Sequence, residues 1–213
     1  MTYEPPDTPL QILYEDDNLL VLDKPSGLLS VPGKGPALAD CLLSRAQAAF
    51  PETLLVHRLD RDTSGVMVFA RTSHAQRHLG LQFEKRMVKK TYVARVWGTP
   101  DQKSGEIDLP LIVDWPNRPK QKVCFETGKS AQTSWRVLRS DGETSRLRLM
   151  PKTGRSHQLR VHCREIGHPI LGDPFYASGP ARAFERLMLH AEDLRLKNPE
   201  GGQSMKFRAK APF

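Results

Sequence analysis

The stretch LLVHRLDRDTSGVMVFA, residues 54–70, places a polar cluster between two apolar runs. The runs at 54–56 and 66–70 have the composition of short strands, and Asp60 and Asp62 lie between them, just before a Thr-Ser-Gly turn. The polar cluster is therefore predicted to lie on a loop that holds two carboxylates among arginines.

The residues of this loop allow two interpretations. In one, Asp60 and Asp62 only cap turns and the arginines are solvated. In the other, Arg58 and Arg61 keep Asp60 ionised, because a nearby positive charge lowers the pKa of a carboxyl group. An ionised aspartate on a rigid loop can serve as a nucleophile or a base. The loop sequence alone leaves both interpretations open.

The composition indicates one basic globular domain. The chain has 213 residues, 32 Lys and Arg against 24 Asp and Glu, and a formal net charge of +8. This charge favours a polyanionic partner, with nucleic acid first and an acidic membrane second. No apolar stretch reaches 18 residues and the N-terminus does not resemble a signal peptide, so we expect a soluble, cytoplasmic protein without a membrane partner.

No metal and no cofactor are predicted. The three cysteines lack a CxxC spacing, and His157 and His162 fall on different faces of a helix, unlike the histidines of an HExxH zinc site. A P-loop, a GxGxxG turn and a GxSxG elbow are also missing, so nucleotide-cofactor and serine-hydrolase chemistry have no support.

Hydrophobic spacing predicts more strands than helices. The predicted elements are a hairpin with strands at 12–14 and 19–22, helices at 37–50 and 73–85, and strands at 91–98, 107–113, 131–138 and 145–150. Residues 1–10 are predicted to form a flexible lead before a single domain at 11–213. This order of elements indicates an α+β fold with a mixed or antiparallel sheet.

Two further stretches contain candidate functional residues. Residues 151–169 predict a short helix with Ser156 as N-cap and Gly167 just after its end. One face of this helix is apolar and another is basic, and the basic stripe consists of His157, Arg160 and Arg164. Such a stripe can equally be a solvated surface. In KKTYVA, residues 89–94, Tyr92 has the usual position of a packing residue in a strand.

Four motifs resemble those of the RluA-type RNA pseudouridine synthases. HRLDRDTSG at 57–65 matches the family signature HRLDxxTSG, and KTYVA at 90–94 matches KxYxA. TGRSHQLRVH at 153–162 is similar to the third motif, and HPILGD at 168–173 to the run that follows it. The motifs occur in the family order and cover the chain from about residue 19 to 191.

The resemblance implies isomerisation of uridine to pseudouridine in RNA, without cofactor or metal. By position Asp60 corresponds to the nucleophilic aspartate, Tyr92 to the active-site tyrosine and Arg160 to the basic residue that pairs with the aspartate. We expect one catalytic domain with a long, mostly antiparallel, bent sheet, peripheral helices and a central cleft that gathers these three residues. Attack at C1′, attack at C6 and a glycal route all remain open.

The RNA partner is predicted in more detail from two other segments. SGLLSVPG at 26–33 and DWPNRPKQKVC at 114–124 narrow the resemblance to members with two substrates, which implies a tRNA anticodon stem-loop and a 23S rRNA stem-loop. The target uridine must be flipped out, and Arg58 is the candidate to fill the gap. The predicted phosphate contacts are Lys89, Lys90, Arg118, Lys120, Lys122, Lys152 and Arg155. We expect a monomer without an N-terminal S4 domain.

Three other functions fit parts of the sequence. A non-catalytic RNA-binding protein of the same fold needs the basic surface but neither Asp60 nor Tyr92. A hydrolase with an aspartate nucleophile and an acidic small substrate does not explain the net charge. A membrane-surface protein needs a strongly amphipathic basic helix with bulky aromatic residues, which the sequence lacks.

Overall fold

The computed structural model describes residues 3–213, in which strands dominate over helices. The strands are β1 (Gln11–Glu15), β2 (Leu19–Lys24), β3 (Leu54–Leu55), β4 (Ser64–Ala70), β5 (Lys89–Trp97), β6 (Ser104–Asp108), β7 (Leu111–Val113), β8 (Gln121–Val123), β9 (Gln132–Ser140), β10 (Thr144–Pro151), β11 (Leu189–Lys197) and β12 (Ser204–Arg208). The helices are α1 (Leu42–Ala49), α2 (Ser73–Glu84) and α3 (Gln158–Glu165). The predicted α+β class is confirmed.

The chain forms two compact units. The first unit contains Met1–Lys90 and His190–Pro212, and the second contains Thr91–Leu189 and Phe213. The chain therefore passes from the first unit to the second within β5 and returns within β11. None of the helices in residues 3–213 is both long enough and apolar enough to cross a membrane.

The first unit is built around the fully buried strand β4. Its strands are ordered β1-β2-β4-β11, with β12 paired to β11 and β3 paired to β4. All these pairs are antiparallel except β4 with β11, which is parallel. Val66 and Val68 of β4 pack with Leu79 of α2 and Leu194 of β11 in the main core. Because β4 is an interior strand with no solvent face, its sequence is almost continuously apolar.

The second unit has an antiparallel sheet with strand order β5-β10-β9-β6 and a separate hairpin of β7 and β8. Its core combines Ala94 of β5 and Leu147 of β10 with Leu159 and Cys163 of α3. Burial and the nearby Asp173 carboxylate raise the pKa of Cys163 to about 12, so this thiol is a packing group.

Several sequence predictions need correction. The predicted helix at 37–50 contains only a 3-10 turn, Pro36–Leu38, and then α1, because Cys41 and Ser44 form a capping box that starts the helix anew. The predicted strand at 107–113 is divided between β6 and β7, and Pro110, which has no N–H to donate, lies between them. The spacing rules missed β8, β11 and β12. The hairpin, α2, β5, β9 and β10 are confirmed.

The N-terminal lead has specific contacts with α1 and its neighbours. Tyr3 Oη donates to the carbonyl of Asp40 at 2.9 Å, and Arg45 Nη1 donates to the carbonyls of Pro6 and Thr8 at 2.9 and 3.2 Å. Met1 and Thr2, which belong to the predicted flexible lead, lie outside the described residues.

Candidate active site

The loop that carries Asp60 is held through its main chain. Leu59 O accepts from Ser30 Oγ at 2.7 Å, Asp60 O from Thr63 N at 3.2 Å, and Asp62 O from Ser26 Oγ at 2.7 Å. Arg61 O accepts from Gly27 N at 3.0 Å. Four consecutive carbonyl oxygens, those of residues 59–62, are therefore fixed, mostly by the segment that follows β2.

A buried lysine completes this clamp. The side chain of Lys24, at the end of β2, is fully buried, and its Nζ donates to the carbonyls of Arg61 at 2.7 Å, Leu28 at 2.6 Å and Pro25 at 2.9 Å. A lysine is rarely buried unless its ammonium is fully hydrogen-bonded. Lys24 thus ties the segment after β2 to the Asp60 loop.

The histidine of the same motif, His57, is half-buried and neutral. Val68 N donates to His57 Nε2 at 3.1 Å, and the imidazole stacks on Phe83 with 4.7 Å between ring centroids. Burial and the nearby Lys90 ammonium lower the pKa of His57 to about 3. Because Nε2 accepts a hydrogen bond from the main chain, His57 acts as a structural anchor between the loop and β4.

The two arginines of the loop, Arg58 and Arg61, differ in their contacts. Arg61 Nε and Nη2 donate to the two carboxylate oxygens of Asp62, at 2.8 and 3.1 Å. The expected effect of Arg61 on Asp60 stays a prediction. Arg58 is exposed and has no hydrogen bond or ion pair to another residue in 3–213.

The backbone geometry at residue 65 explains why the HRLDRDTSG motif ends in a glycine. Its φ of +114° is unfavourable for any residue with a side chain, and a Cβ there would lie 2.2 Å from the carbonyl oxygen of Ala191. Only a glycine allows β4 and β11 to approach this closely at the end of the loop.

Tyr92 lies on β5 in the second unit. It is directly opposite Leu149 of β10 and packs at the edge of the core that contains Ala94 and Val96. Tyr92, Ala94 and Val96 lie on one face of β5, because alternate residues of a strand share a face. Asp60 belongs to the first unit and Tyr92 and Arg160 to the second, and their convergence in one cleft stays a prediction.

Arg160 is held by a buried carboxylate within the second unit. Its Nε donates to Asp173 Oδ2 at 2.8 Å and its Nη2 to Asp173 Oδ1 at 2.7 Å, and the two side chains are 2% and 0% exposed. The guanidinium also lies 5.2 Å from the ring centroids of Phe175 and Tyr176. Arg160 therefore does not belong to a solvated stripe, and of the three stripe residues only Arg164 is exposed.

The start of α3 also differs from the prediction. The N-cap is His157, which has a left-handed φ of +52°, and not Ser156. His157 Nδ1 lies 2.7 Å from Tyr176 Oη, which also accepts from Gln121 N of β8 at 2.7 Å. The side chain of Gln158, which accepts from Arg155 N at 2.9 Å, occupies the N-terminal turn that Ser156 was expected to cap.

The predicted phosphate contacts fall in three environments. Lys89, Arg118 and Lys122 are exposed, and the Arg118 guanidinium lies 4.0 Å from the ring centroid of Trp115. Lys152 Nζ donates to Glu106 Oε1 at 2.9 Å, and Arg155 Nε donates to the carbonyl oxygen of Ser130 at 3.0 Å.

The other two predicted contacts, Lys90 and Lys120, are partly buried. Burial lowers the pKa of Lys90. Its ammonium is therefore less suited to a phosphate than that of the exposed Lys89.

Sequence reasoning missed two residues that organise the site. Asp173 closes the quoted HPILGD motif, but nothing local connects it with Arg160. Lys24 was not among the predicted functional residues. The local signal that points to Lys24 is the charged pair Asp23 and Lys24, which ends β2 after four apolar residues.

Comparisons with known proteins agree with the motifs. Residues 18–165 match the family described as RNA pseudouridylate synthase. The dual-specificity RNA pseudouridine synthase RluA of Escherichia coli (strain K12) is 56% identical over 214 residues, which cover 99% of this chain and 98% of that protein. The protein of the same name from Vibrio vulnificus (strain CMCP6) is 52% identical over 207 residues, which cover 94% of this chain and 83% of that protein.

Solved structures show the same fold. Human RNA Pseudouridylate Synthase Domain Containing 1 superposes with a TM-score of 0.82 at 28% identity, covering 99% of this chain and 87% of that one. Human RNA Pseudouridylate Synthase Domain Containing 4 gives a TM-score of 0.76 at 28% identity, covering 95% and 88%. The likeness in fold thus extends over nearly the whole length of the chain.

Proposed function

Because this chain belongs to the RNA pseudouridylate synthase family, it isomerises uridine to pseudouridine in RNA, and we propose that it acts on two stem-loops, of tRNA and of 23S rRNA. Two observations support the two substrates. The relatives of highest identity reported above carry the description dual-specificity, and the segments at 26–33 and 114–124 resemble members of that type. An enzyme that reads loop shape and a few splayed bases can accept both RNAs.

The reaction breaks the N1–C1′ bond of uridine, rotates the uracil and forms a C5–C1′ bond, after which the C5 proton leaves. We assign Asp60 as the nucleophile, whether it attacks C1′ or C6 or assists a glycal route. The observation that carries this assignment is the clamp on carbonyls 59–62, which fixes the Asp60 backbone. A nucleophile gains most from such positioning when it is set before the substrate binds.

Arg160 and Tyr92 have complementary roles in this proposal. Arg160 keeps Asp60 ionised and orients it, while Asp173 fixes the direction of the guanidinium. Tyr92 packs on the flipped uracil and accepts the C5 proton. Since the ordinary pKa of tyrosine is about 10, it needs a neighbour that stabilises its phenolate.

Arg58 is proposed to occupy the gap that the flipped uridine leaves. It is exposed, it has no hydrogen bond or ion pair within residues 3–213, and its planar guanidinium can stack on bases. Arg58→Ala should weaken binding and turnover of the stem-loops. Unchanged binding and turnover in this variant would exclude the role.

Tritium release from C5-labelled uridine in the two stem-loops tests the function. The wild type should release tritium from both RNAs, and Asp60→Asn should bind them with unchanged affinity and release none. Asp62→Asn is the matched control, because it changes the neighbouring carboxylate, which is paired with Arg61. Equal loss in both aspartate variants would contradict the assignment of Asp60, and tight binding without release by the wild type would favour a non-catalytic RNA-binding protein.

A further inference from the structure

The second unit carries a group of arginines on one face of its sheet. Arg146 of β10 lies directly opposite Arg95 of β5 and Arg139 of β9, and Arg148 of β10 lies opposite Arg136 of β9. Side chains that are directly opposite in an antiparallel pair project from the same face of the sheet. We call these five residues the arginine face.

The arginine face lies on the other side of these strands from the α3 core. The residues that alternate with the arginines, among them Ala94, Leu147 and Trp135, are buried in the core that includes Leu159. Successive residues of a strand point to opposite faces. The five arginines therefore share the face that the α3 core does not use.

The charges of this face are poorly neutralised by the protein. Within residues 3–213, Arg136, Arg139 and Arg148 take part in no ion pair, and the carboxylate near Arg95 is that of Asp141, at 3.9 Å. Arg148 Nε is also buried without a hydrogen-bond partner in that part of the chain. Like charges directly opposite on a sheet and an unsatisfied buried donor both destabilise the fold, so folding alone does not favour this arrangement.

Part of the face is concave. Arg95, Arg139 and Arg146 line a groove of about 300 Å³ together with Thr144 and Phe213. Arg95 Nη2 donates to Thr144 Oγ1 at 3.0 Å, and Arg146 donates to the main-chain oxygen of Phe213. These contacts orient Arg95 and Arg146, and a guanidinium has further N–H groups for an anion.

Among the described residues that line this groove, Asp141 contributes the acidic side chain, and both of its oxygens already accept hydrogen bonds. Oδ1 accepts from Thr144 N at 2.7 Å, and Oδ2 accepts from Thr144 Oγ1 at 3.0 Å. Asp141 therefore organises the turn between β9 and β10 and leaves the positive charge of the groove in excess.

We propose that the arginine face binds the phosphate backbone of the RNA substrate, in addition to the predicted lysine and arginine contacts. The inference rests on the proposed function, because RNA is the polyanion on which the enzyme acts. Guanidinium groups fork onto phosphate oxygens in bidentate fashion, and neighbouring strands about 4.8 Å apart present several of them within one short stretch of backbone. Such contacts position RNA without reading its sequence.

The salt dependence of binding tests this inference. We would measure the affinity of the full chain for the tRNA stem-loop between about 50 and 200 mM salt. The double variant Arg136→Gln, Arg139→Gln replaces two exposed side chains, so the fold should survive, and thermal melting checks this. Each lost phosphate contact should make the slope of log K against log salt shallower by about 0.7 to 0.9. The affinity should fall at least about tenfold at the lower salt concentration.

Three controls separate this effect from other causes. Arg77→Gln removes an exposed arginine on α2 and should leave the slope unchanged. Arg136→Lys, Arg139→Lys should keep the slope, because the charges stay, while losing part of the affinity. The rRNA stem-loop should show the same loss of affinity as the tRNA stem-loop.

The result that would overturn the inference is an unchanged salt slope in the glutamine double variant with the fold intact. That failure is distinguishable from failure of the proposed function, which the wild type reports separately through tritium release. An unchanged slope together with lost binding to acidic vesicles would point to a membrane and would equally overturn the inference.

Discussion

The loop that carries Asp60 and the helix that carries Arg160 are held by different kinds of interaction. The loop is fixed through its main chain, since the carbonyl oxygens of residues 59–62 accept hydrogen bonds from Lys24, Ser26, Gly27, Ser30 and Thr63. Arg160 is fixed through its own guanidinium by Asp173. Hydrogen bonds to the main chain fix the backbone position from which a side chain extends. Hydrogen bonds to the side chain fix the direction of its functional group.

The two clamps should therefore respond differently to substitution. Breaking the side-chain clamp leaves a buried charge without its partner, which is among the most destabilising changes in a protein. A single substitution in the main-chain clamp removes only some of its hydrogen bonds. The loss in the free energy of unfolding is therefore divided among several hydrogen bonds.

Asp173→Asn should have the largest effect on stability. The substitution keeps the shape but removes the charge that faces Arg160, and we expect the free energy of unfolding to fall by about 3 to 5 kcal/mol. Urea unfolding measures this. Glu165→Gln is the matched control, because Glu165 pairs with Arg164 on the exposed side of the same helix, and its loss should cost less than about 1 kcal/mol. Similar losses in both variants would show that the Arg160 clamp has no special weight.

Lys24→Met should have the next largest effect. Methionine is close in size but cannot donate to the carbonyls of Pro25, Leu28 and Arg61. Arg61 O keeps the hydrogen bond from Gly27 N, so we expect a loss of about 2 to 4 kcal/mol. In the folded fraction kcat for tritium release should fall, because the loop that carries Asp60 is displaced. Lys34→Met, which changes an exposed lysine of the same segment, should change neither quantity.

The Asp60 loop was predictable from sequence because its signals are local. The apolar runs of 54–56 and 66–70 and the turn residues between them lie within 17 residues of chain, and the same local rules gave the β1–β2 hairpin and α2. The parallel pair of β4 with β11 was not predictable, because nothing in the spacing of either strand identifies a partner more than 100 residues away.

The residues that hold the candidate site in place could not be predicted from local sequence signals. Asp173 meets Arg160 only after α3 and the following turn have folded, and lysine is so rarely buried that Lys24 gave no expectation of a clamp. The arginine face shows the same limit. The alternation of Arg146 and Arg148 is visible in the sequence, but their pairing with Arg136 and Arg139 depends on the register of β9, including its bulge.

The pH dependence of stability tests the anchor between the loop and β4. The pKa of His57 is about 3 in the folded protein against an ordinary value of 6.5, so the unfolded chain takes up the proton first as the pH falls. The free energy of unfolding should therefore have its full value above pH 6.5. It should decrease as the pH falls towards 3, by at most about 1.4 kcal/mol per pH unit.

His57→Gln provides the reference for this measurement, because a glutamine oxygen can accept from Val68 N and does not titrate. Burial also lowers the pKa of His162, so only the difference between wild type and variant reports on His57. Parallel pH profiles for the two proteins would exclude His57 as the source of the effect.

Ser30→Ala should have the smallest effect on the free energy of unfolding. It tests whether the hydrogen bonds of the main-chain clamp contribute to this free energy independently. Ser30 Oγ is buried, donates to Leu59 O at 2.7 Å and accepts from Leu59 N at 3.1 Å. We expect a loss of about 1 kcal/mol, the usual net value of a hydrogen bond, and no change for the exposed Ser73→Ala. If Ser30→Ala and Lys24→Met act on the same clamp, the double variant should lose less than the sum of the two, because residues in one network are not additive. Strict additivity would mean that the carbonyls of Leu59 and Arg61 are held independently, and the clamp would then be a set of separate contacts.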